Sequence, residues 1–280
     1  MSLAEAYAHC AEVARNEDRD RWLGVLFAPP QTRPHLHALI AFERELSRLR
    51  ESVRDPMAGE LRLAWWREAL SRERDDEAQG HPIAAAVIDT LQKFRPPAHL
   101  IENAVTARQF DLYDDAFPTV VELEAYLGET RSGLLQIAAF VLADGRDLGA
   151  AEASGFAGVA LGLIELMRGL SRPRALIGFI PREILTGPAA PPEDLRARWA
   201  SPEVAAALRD LIALARRRLA EADAALAKLP KAVAPGYSGL ATAPLWLAGI
   251  ERAGANNFER PIEVAAWRRQ WEIWRWSRRR

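Results

Sequence analysis

The chain has 280 residues, 49% hydrophobic and 27% charged, so it can bury a large core and is not a disordered chain. Lys and Arg number 37 against 38 Asp and Glu, and the net charge of -1 argues against a nucleic-acid binder, whose affinity comes from excess basic charge. The single cysteine, Cys10, rules out an internal disulfide framework and a cysteine-based zinc site.

Ala, Leu, Arg and Glu dominate, and β-branched runs are scarce, so the pattern predicts an all-α chain. Helices are expected at roughly 3–15, 18–27, 34–54, 57–73, 82–94, 97–113, 119–142, 150–171, 193–199, 202–229, 239–252 and 261–278. The clearest is 202–229, where Ser201 is a good N-cap and Pro202 sits at the first helical position. Val204, Leu208, Leu211, Ala215, Leu219, Ala222, Leu226 and Leu229 then recur at helical steps. The loop from Thr186 to Pro192 marks no change of composition, so one domain is expected over 1–280, with a Trp/Arg-rich helix at 261–280.

No apolar run reaches the eighteen or so residues of a membrane span, and the first residues lack a secretory pattern. The expected location is the cytoplasm, with peripheral contact at the inner face of a membrane left open. Hydrolase serine, phosphate-loop and His-Glu-x-x-His motifs are missing. His35 and His37 are two apart and make a poor metal pair, and surface or capping roles are expected for all five histidines.

Four stretches carry more. Phe42, Arg44 and Glu51 lie in an apolar and charged run at 39–51, followed by Leu61-Arg62-Leu63-Ala64-Trp65-Trp66-Arg67-Glu68. Then come 110–115, with Asp111, Asp114 and Asp115, and the stretch beginning at Tyr126. The last holds Glu165, Arg168 and Gly169 and ends in Phe179-Ile180-Pro181-Arg182-Glu183. In this order and spacing the chain resembles the squalene/phytoene synthase family from about Asp18 to Leu185. The resemblance implies an isoprenoid-synthase-type helical bundle with a central cavity. Active members join two prenyl diphosphates, holding Mg²⁺ between the diphosphate and two facing acidic motifs, because Mg²⁺ wants hard oxygen ligands.

At those positions this chain departs from the pattern. The two aspartates of the first motif fall on Ser47 and Arg48, and only Glu51 keeps its acid. In the second motif Arg168 matches, while Glu165, Gly169 and Pro173 stand where Asn, Asp and Asp are expected. Pro173 cannot continue a regular helix. A guanidinium replacing a carboxylate reverses a Coulomb term of about 4 kcal/mol at 4 Å, so no metal and no cofactor are expected. Mg²⁺ enters only if an enzyme reading holds, with Glu51 and Glu165 as substituted ligands. Asp111, Asp114 and Asp115 are read as a solvated helix end, with substitute metal ligation as the lesser option.

Degenerate relatives of the same kind, the mitochondrial complex I assembly factors that look like phytoene synthases, share the pattern matched by Phe42-Glu43-Arg44-Glu45-Leu46, the Phe179-Ile180-Pro181 element and Trp267-Arg268. The favoured expectation is therefore a non-catalytic counterpart that binds a membrane-protein subunit or a lipid-like phosphate ligand during assembly. Two alternatives stand beside it. One is a prenyltransferase condensing two prenyl diphosphates. The other is a metal-free binder of prenyl or phospholipid phosphates through Arg44, Arg48, Arg168, Arg172 and Arg174, since guanidinium groups grip phosphate without metal.

At the C-terminus Trp267, Trp271 and Trp274 share one helical face beside Arg268, Arg269, Arg275, Arg278, Arg279 and Arg280. The chemistry suits a membrane interface or a partner. An apolar stripe more commonly faces a core, so the stripe is expected to pack inward while the final Arg triplet remains able to touch anionic lipid. Of the adjacent Trp65 and Trp66, one is expected in the core.

Overall fold

The computed structural model describes residues 1–53, 55–113, 115–172, 177–185 and 202–280, and every regular element among them is helical. Asp114, Pro173, Arg174, the 186–192 loop, the helix expected at 193–199 and the Ser201 cap lie outside the described residues.

The first helix, α1 (Leu3–Glu17), starts at a capping box in which Ser2 and Glu5 satisfy each other's backbone amides. Asp18 then caps α2 (Arg19–Val25) by accepting from the Arg21 amide. Next come α3 (Arg33–Ser47), the short α4 (Leu49–Ser52), α5 (Pro56–Leu70), α6 (Asp75–Gly80) and α7 (Pro82–Phe94). The helix expected at 34–54 breaks after Ser47, where Arg48 leaves the regular turn. The six-residue α6 was not expected, because so short a polar segment shows no hydrophobic period.

α8 (His99–Thr106) tightens into a 3₁₀ segment, Ala107–Leu112. The helix expected at 119–142 is three pieces: α9 (Val120–Leu127), a π turn at Gly128–Ser132, and α10 (Gly133–Leu142). After α11 (Ala151–Arg168) come short 3₁₀ turns at Ile177–Phe179 and Arg182–Ile184, then α12 (Pro202–Leu226), a 3₁₀ segment at Lys231–Ala241, α13 (Ala243–Ala253), a 3₁₀ turn at Gly254–Phe258 and α14 (Ala266–Arg279). Residues 261–265 form no regular element, so the last helix begins five residues later than the sequence pattern suggests.

Two apolar clusters share α10 as a wall. One side of α10 sends Leu134, Ile137, Ala138 and Val141 into a cluster with Phe42, Leu63, Trp66 and Val87. The other side sends Leu135 and Ala139 into a cluster with Leu163, Met167, Phe179 and Tyr237. Each fully buried large side chain contributes about 1.5–3 kcal/mol. Trp66 is the core member of the tryptophan pair, edge-on to Phe42 at 5.0 Å, while half-buried Trp65 donates to Glu77.

Candidate functional site

The site is where α2, α3, the π turn and α11 converge. A π turn is one residue wider than an α-turn, and here it carries the buried Arg131. Two glycines of α11, one turn apart, let it approach. A Cβ on Gly158 would lie 2.6 Å from the Ser132 amide nitrogen, and one on Gly162 would lie 3.1 Å from Arg131 Cδ. The close approach brings Glu165 within reach of Arg131.

Ionic groups occupy the centre. Glu43, 3% exposed, accepts from Arg21 and lies 3.0 Å from Arg131 Nη2, with Arg44 Nη2 at 3.8 Å. Glu165 takes Arg44 Nη2 at 2.5 Å on one oxygen and Arg131 on the other. Asp18 completes the set by accepting Arg21 Nε at 2.7 Å. Three guanidinium groups thus face three carboxylates, which balances the buried charge. Burial alone would raise the Glu43 carboxyl, but Arg131, Arg21 and Arg44 outweigh it and hold Glu43 well below the usual carboxylate range. Burial pushes Arg131 down to about 9 against the opposing pull of Glu43, so it stays charged at neutral pH.

A second buried group borders this cluster. Tyr126 donates to Asp111, which also takes Arg108 Nη1 at 3.0 Å. Burial, reinforced by Asp111, pushes the Tyr126 hydroxyl far up, so it remains a donor. Asp111 is therefore a buried structural acid and not part of a solvated helix end, because Arg108 one turn earlier neutralises it. His35 and His37 are buried as well, contrary to a surface role. Every residue of α3 from His35 to Arg44 is buried, so both directions in which they point are covered. His81 does cap α7.

The cavity above the cluster is lined by Ser47, Glu51, Tyr126, Glu165, Gly169 and Arg172 among others, and it holds about 80 Å³. On the far side of the ions, a space bordered by Arg21, Leu39, Glu43 and Ala138 holds about 20 Å³. Sites for drug-sized ligands run to about 300–1,000 Å³. Among the described residues these two spaces fall well below that range.

The donor set does not fit a Mg²⁺ cluster. Glu43 and Glu165 are committed to arginines, and Glu51 lies 3.4 Å from Arg172 Nη1 at the rim. Ser47 and Arg48 offer no carboxylate. Among the described residues no three His, Cys, Asp or Glu side chains are grouped to hold a metal ion.

Of the positions singled out in the sequence, Ser47, Glu51, Glu165, Gly169 and Arg172 meet at this one cavity. Arg44 lies beneath it. Arg48 turns away to Glu17 on a different surface groove. Arg168 stacks over Trp246, with Cζ 3.5 Å from the ring centroid, and burial lowers it to about 10. Only Arg172 of the described candidate phosphate-binding arginines lines the cavity. Sequence reading, which offered pairing with Glu43, Glu45 and Glu165 as the other fate of these arginines, missed Asp18, Arg21, Arg108 and Arg131. The Gly158/Gly162 spacing was the available signal that something packs closely against α11.

The C-terminal stripe faces out, which corrects the expectation that it packs inward. Trp267, Trp271 and Trp274 are 68%, 54% and 41% exposed. The helix has a second apolar edge, Ile273 and Trp276, and that edge docks against the body.

A family model described as squalene/phytoene synthase matches residues 14–275. Proteins of Rattus norvegicus and Homo sapiens, both named NADH dehydrogenase (ubiquinone) complex I, assembly factor 6, are each 24% identical to this chain. The alignments cover 93% and 91% of this chain and 78% and 77% of theirs. Among solved structures, squalene synthase HpnC from Alicyclobacillus acidocaldarius superposes with a TM-score of 0.73 at 23% identity, covering 90% of this chain and 95% of that one. YisP from Bacillus subtilis superposes with a TM-score of 0.74 at 14% identity, covering 97% and 96%. At these identities the structures speak for the fold.

Proposed function

This chain belongs to the squalene/phytoene synthase family, and from that premise we infer that it is a non-catalytic member acting in assembly of respiratory complex I or another membrane protein complex. The observation that carries this reading is the ion cluster of Asp18, Arg21, Glu43, Arg44, Arg131 and Glu165 in the middle of the fold. In a prenyltransferase, Mg²⁺ must neutralise a diphosphate before it can leave, and acidic side chains must hold the ions. Here the acids are neutralised by guanidinium groups of the same chain. The cluster ties α2, α3 and α11 together instead, and the described cavity above it is small, at about 80 Å³. The curated relatives named for complex I assembly support the same reading, and a prenyltransferase is the less supported alternative.

Two measurements test it together. Titration of a non-hydrolysable farnesyl diphosphate analogue, with and without Mg²⁺, is expected to give no binding heat. Deleting the gene in its host is expected to lower the amount of assembled NADH dehydrogenase, and Glu51→Ala, which removes the remaining first-motif acid, is expected to complement fully. Mg²⁺-dependent release of diphosphate by the purified protein, or failure of Glu51→Ala to complement, overturns the proposal.

A further inference from the structure

We propose that α14 is an interfacial membrane helix whose outward Trp267, Trp271 and Trp274, with the arginines beside them, seat the protein on an anionic bilayer surface. This does not depend on how the interior is read.

The helix is held in a fixed orientation. Ile273 is buried and Trp276 half-buried against the body, where they border a cavity of about 250 Å³ with Phe27, Ala234 and Pro235. Arg269 binds Asp20 on α2, and Arg280 binds Asp223 on α12. These ties leave the opposite face in solvent, so the tryptophans are not waiting to fold inward. Steps of four and three place Trp267, Trp271 and Trp274 in one row, which Arg278 continues. At about 100° per residue, Arg268, Arg275 and Arg279 run along one edge of that row.

The aromatic and cationic groups lie together. Trp271 and Trp274 stack at 4.9 Å, Arg278 Cζ lies 5.5 Å from the Trp274 ring centroid, and Arg268 Cζ lies 5.8 Å from that of Trp267. An indole has an apolar body and one N–H, and it settles at headgroup level, where a guanidinium beside it meets lipid phosphate. A row of three protruding indoles with guanidinium groups beside it matches the layering of a bilayer surface, anionic at the headgroups and apolar just beneath them. Charge is also segregated: residues 266–280 hold six arginines and one glutamate, while the whole chain is at -1. Among the described residues no helix is long and apolar enough to cross a membrane, so this contact lies along the surface.

The test is co-sedimentation of the full chain with vesicles of phosphatidylcholine alone or mixed with phosphatidylglycerol. Binding is expected only to the anionic vesicles and is expected to weaken as salt rises. The triple variant Trp267→Ala, Trp271→Ala, Trp274→Ala is expected to bind more than tenfold more weakly. Arg278→Glu with Arg279→Glu is expected to lose more than about twentyfold, since each basic residue near such a surface is worth about fivefold. Both variants should melt as the parent does, because the altered side chains face solvent. Brominated acyl chains should quench the parent's tryptophan fluorescence and fail to quench a Trp271→Phe, Trp274→Phe variant to the same depth. Absence of binding to either vesicle, equal binding to both, or undiminished binding by the triple variant overturns the proposal.

Discussion

Arg44 Nη2 stands 2.5 Å from Glu165 Oε1, and this pair joins α3 to α11 across the centre of the molecule. The two residues come from the segments that correspond to the family's facing acidic motifs. In an active synthase those segments are bridged through metal and diphosphate. Here an internal guanidinium makes the bridge, with Arg131 and Glu43 completing it. The floor of the cavity is thereby made of paired charges.

Breaking the cluster is expected to destabilise the fold strongly. Glu43→Ala leaves three guanidinium groups short of a buried carboxylate, and removing one partner of a buried pair costs about 3–5 kcal/mol. Urea unfolding should show a lower midpoint at unchanged slope. A loss below about 1 kcal/mol would mean that the cluster contributes little.

Acid should weaken the protein in two windows. Burial, with Lys93, pushes His35 down to about 4, and burial, partly opposed by a backbone bond at Trp22, pushes His37 to about 4. The unfolded histidines take protons below about 6.5 while the folded ones do not, so stability is lost as pH falls from 6.5 towards 4. Glu43 acts lower. Its contribution is full above its ordinary value of 4.5 and is lost as pH falls through its depressed folded value. Urea midpoints across pH should show both windows, and His37→Phe should flatten the upper one by about one proton.

Gly158→Ala should destabilise although alanine is the better helix former. Its Cβ would meet Ser132 Oγ at 2.1 Å and the Ser132 backbone nitrogen at 2.6 Å. The hydroxyl can rotate away, but the backbone cannot. Overpacking costs about 1–3 kcal/mol, which exceeds the gain of up to about 1 kcal/mol from helix propensity. A raised melting temperature would contradict this placement of the π turn.

Restoring aspartates to the first motif should not restore metal binding. In Ser47→Asp with Arg48→Asp, position 47 borders the cavity but position 48 faces the groove shared with Glu17, and Glu165 remains bound by Arg44 and Arg131. Millimolar Mg²⁺ is expected to leave the melting temperature of this variant unchanged. A Mg²⁺-dependent rise would show that the arginines yield their acids.

Helix content and the degeneracy of both motifs were legible in the sequence, because apolar period and residue identity are local properties. Ser47, Arg48 and Gly169 announce the missing carboxylates without any coordinates. The π turn was not legible: 119–142 has an unbroken helical pattern, and the extra residue per turn is set by how α11 packs through Gly158 and Gly162. Nor was the fate of each arginine, since Arg44, Arg48 and Arg168 are the same residue type within helical patterns yet end beside Glu165, Glu17 and Trp246.

The linear chain by itself determined an all-helical member of its family with Ser47, Arg48 and Gly169 where the resemblance implies carboxylates. Only the tertiary structure decided that internal ion pairs occupy the vacated centre and that the tryptophans of α14 face water. Those outcomes depend on which charges from distant segments meet, and on which of two apolar edges packs against the body. Both are long-range contacts, and no local spacing encodes them.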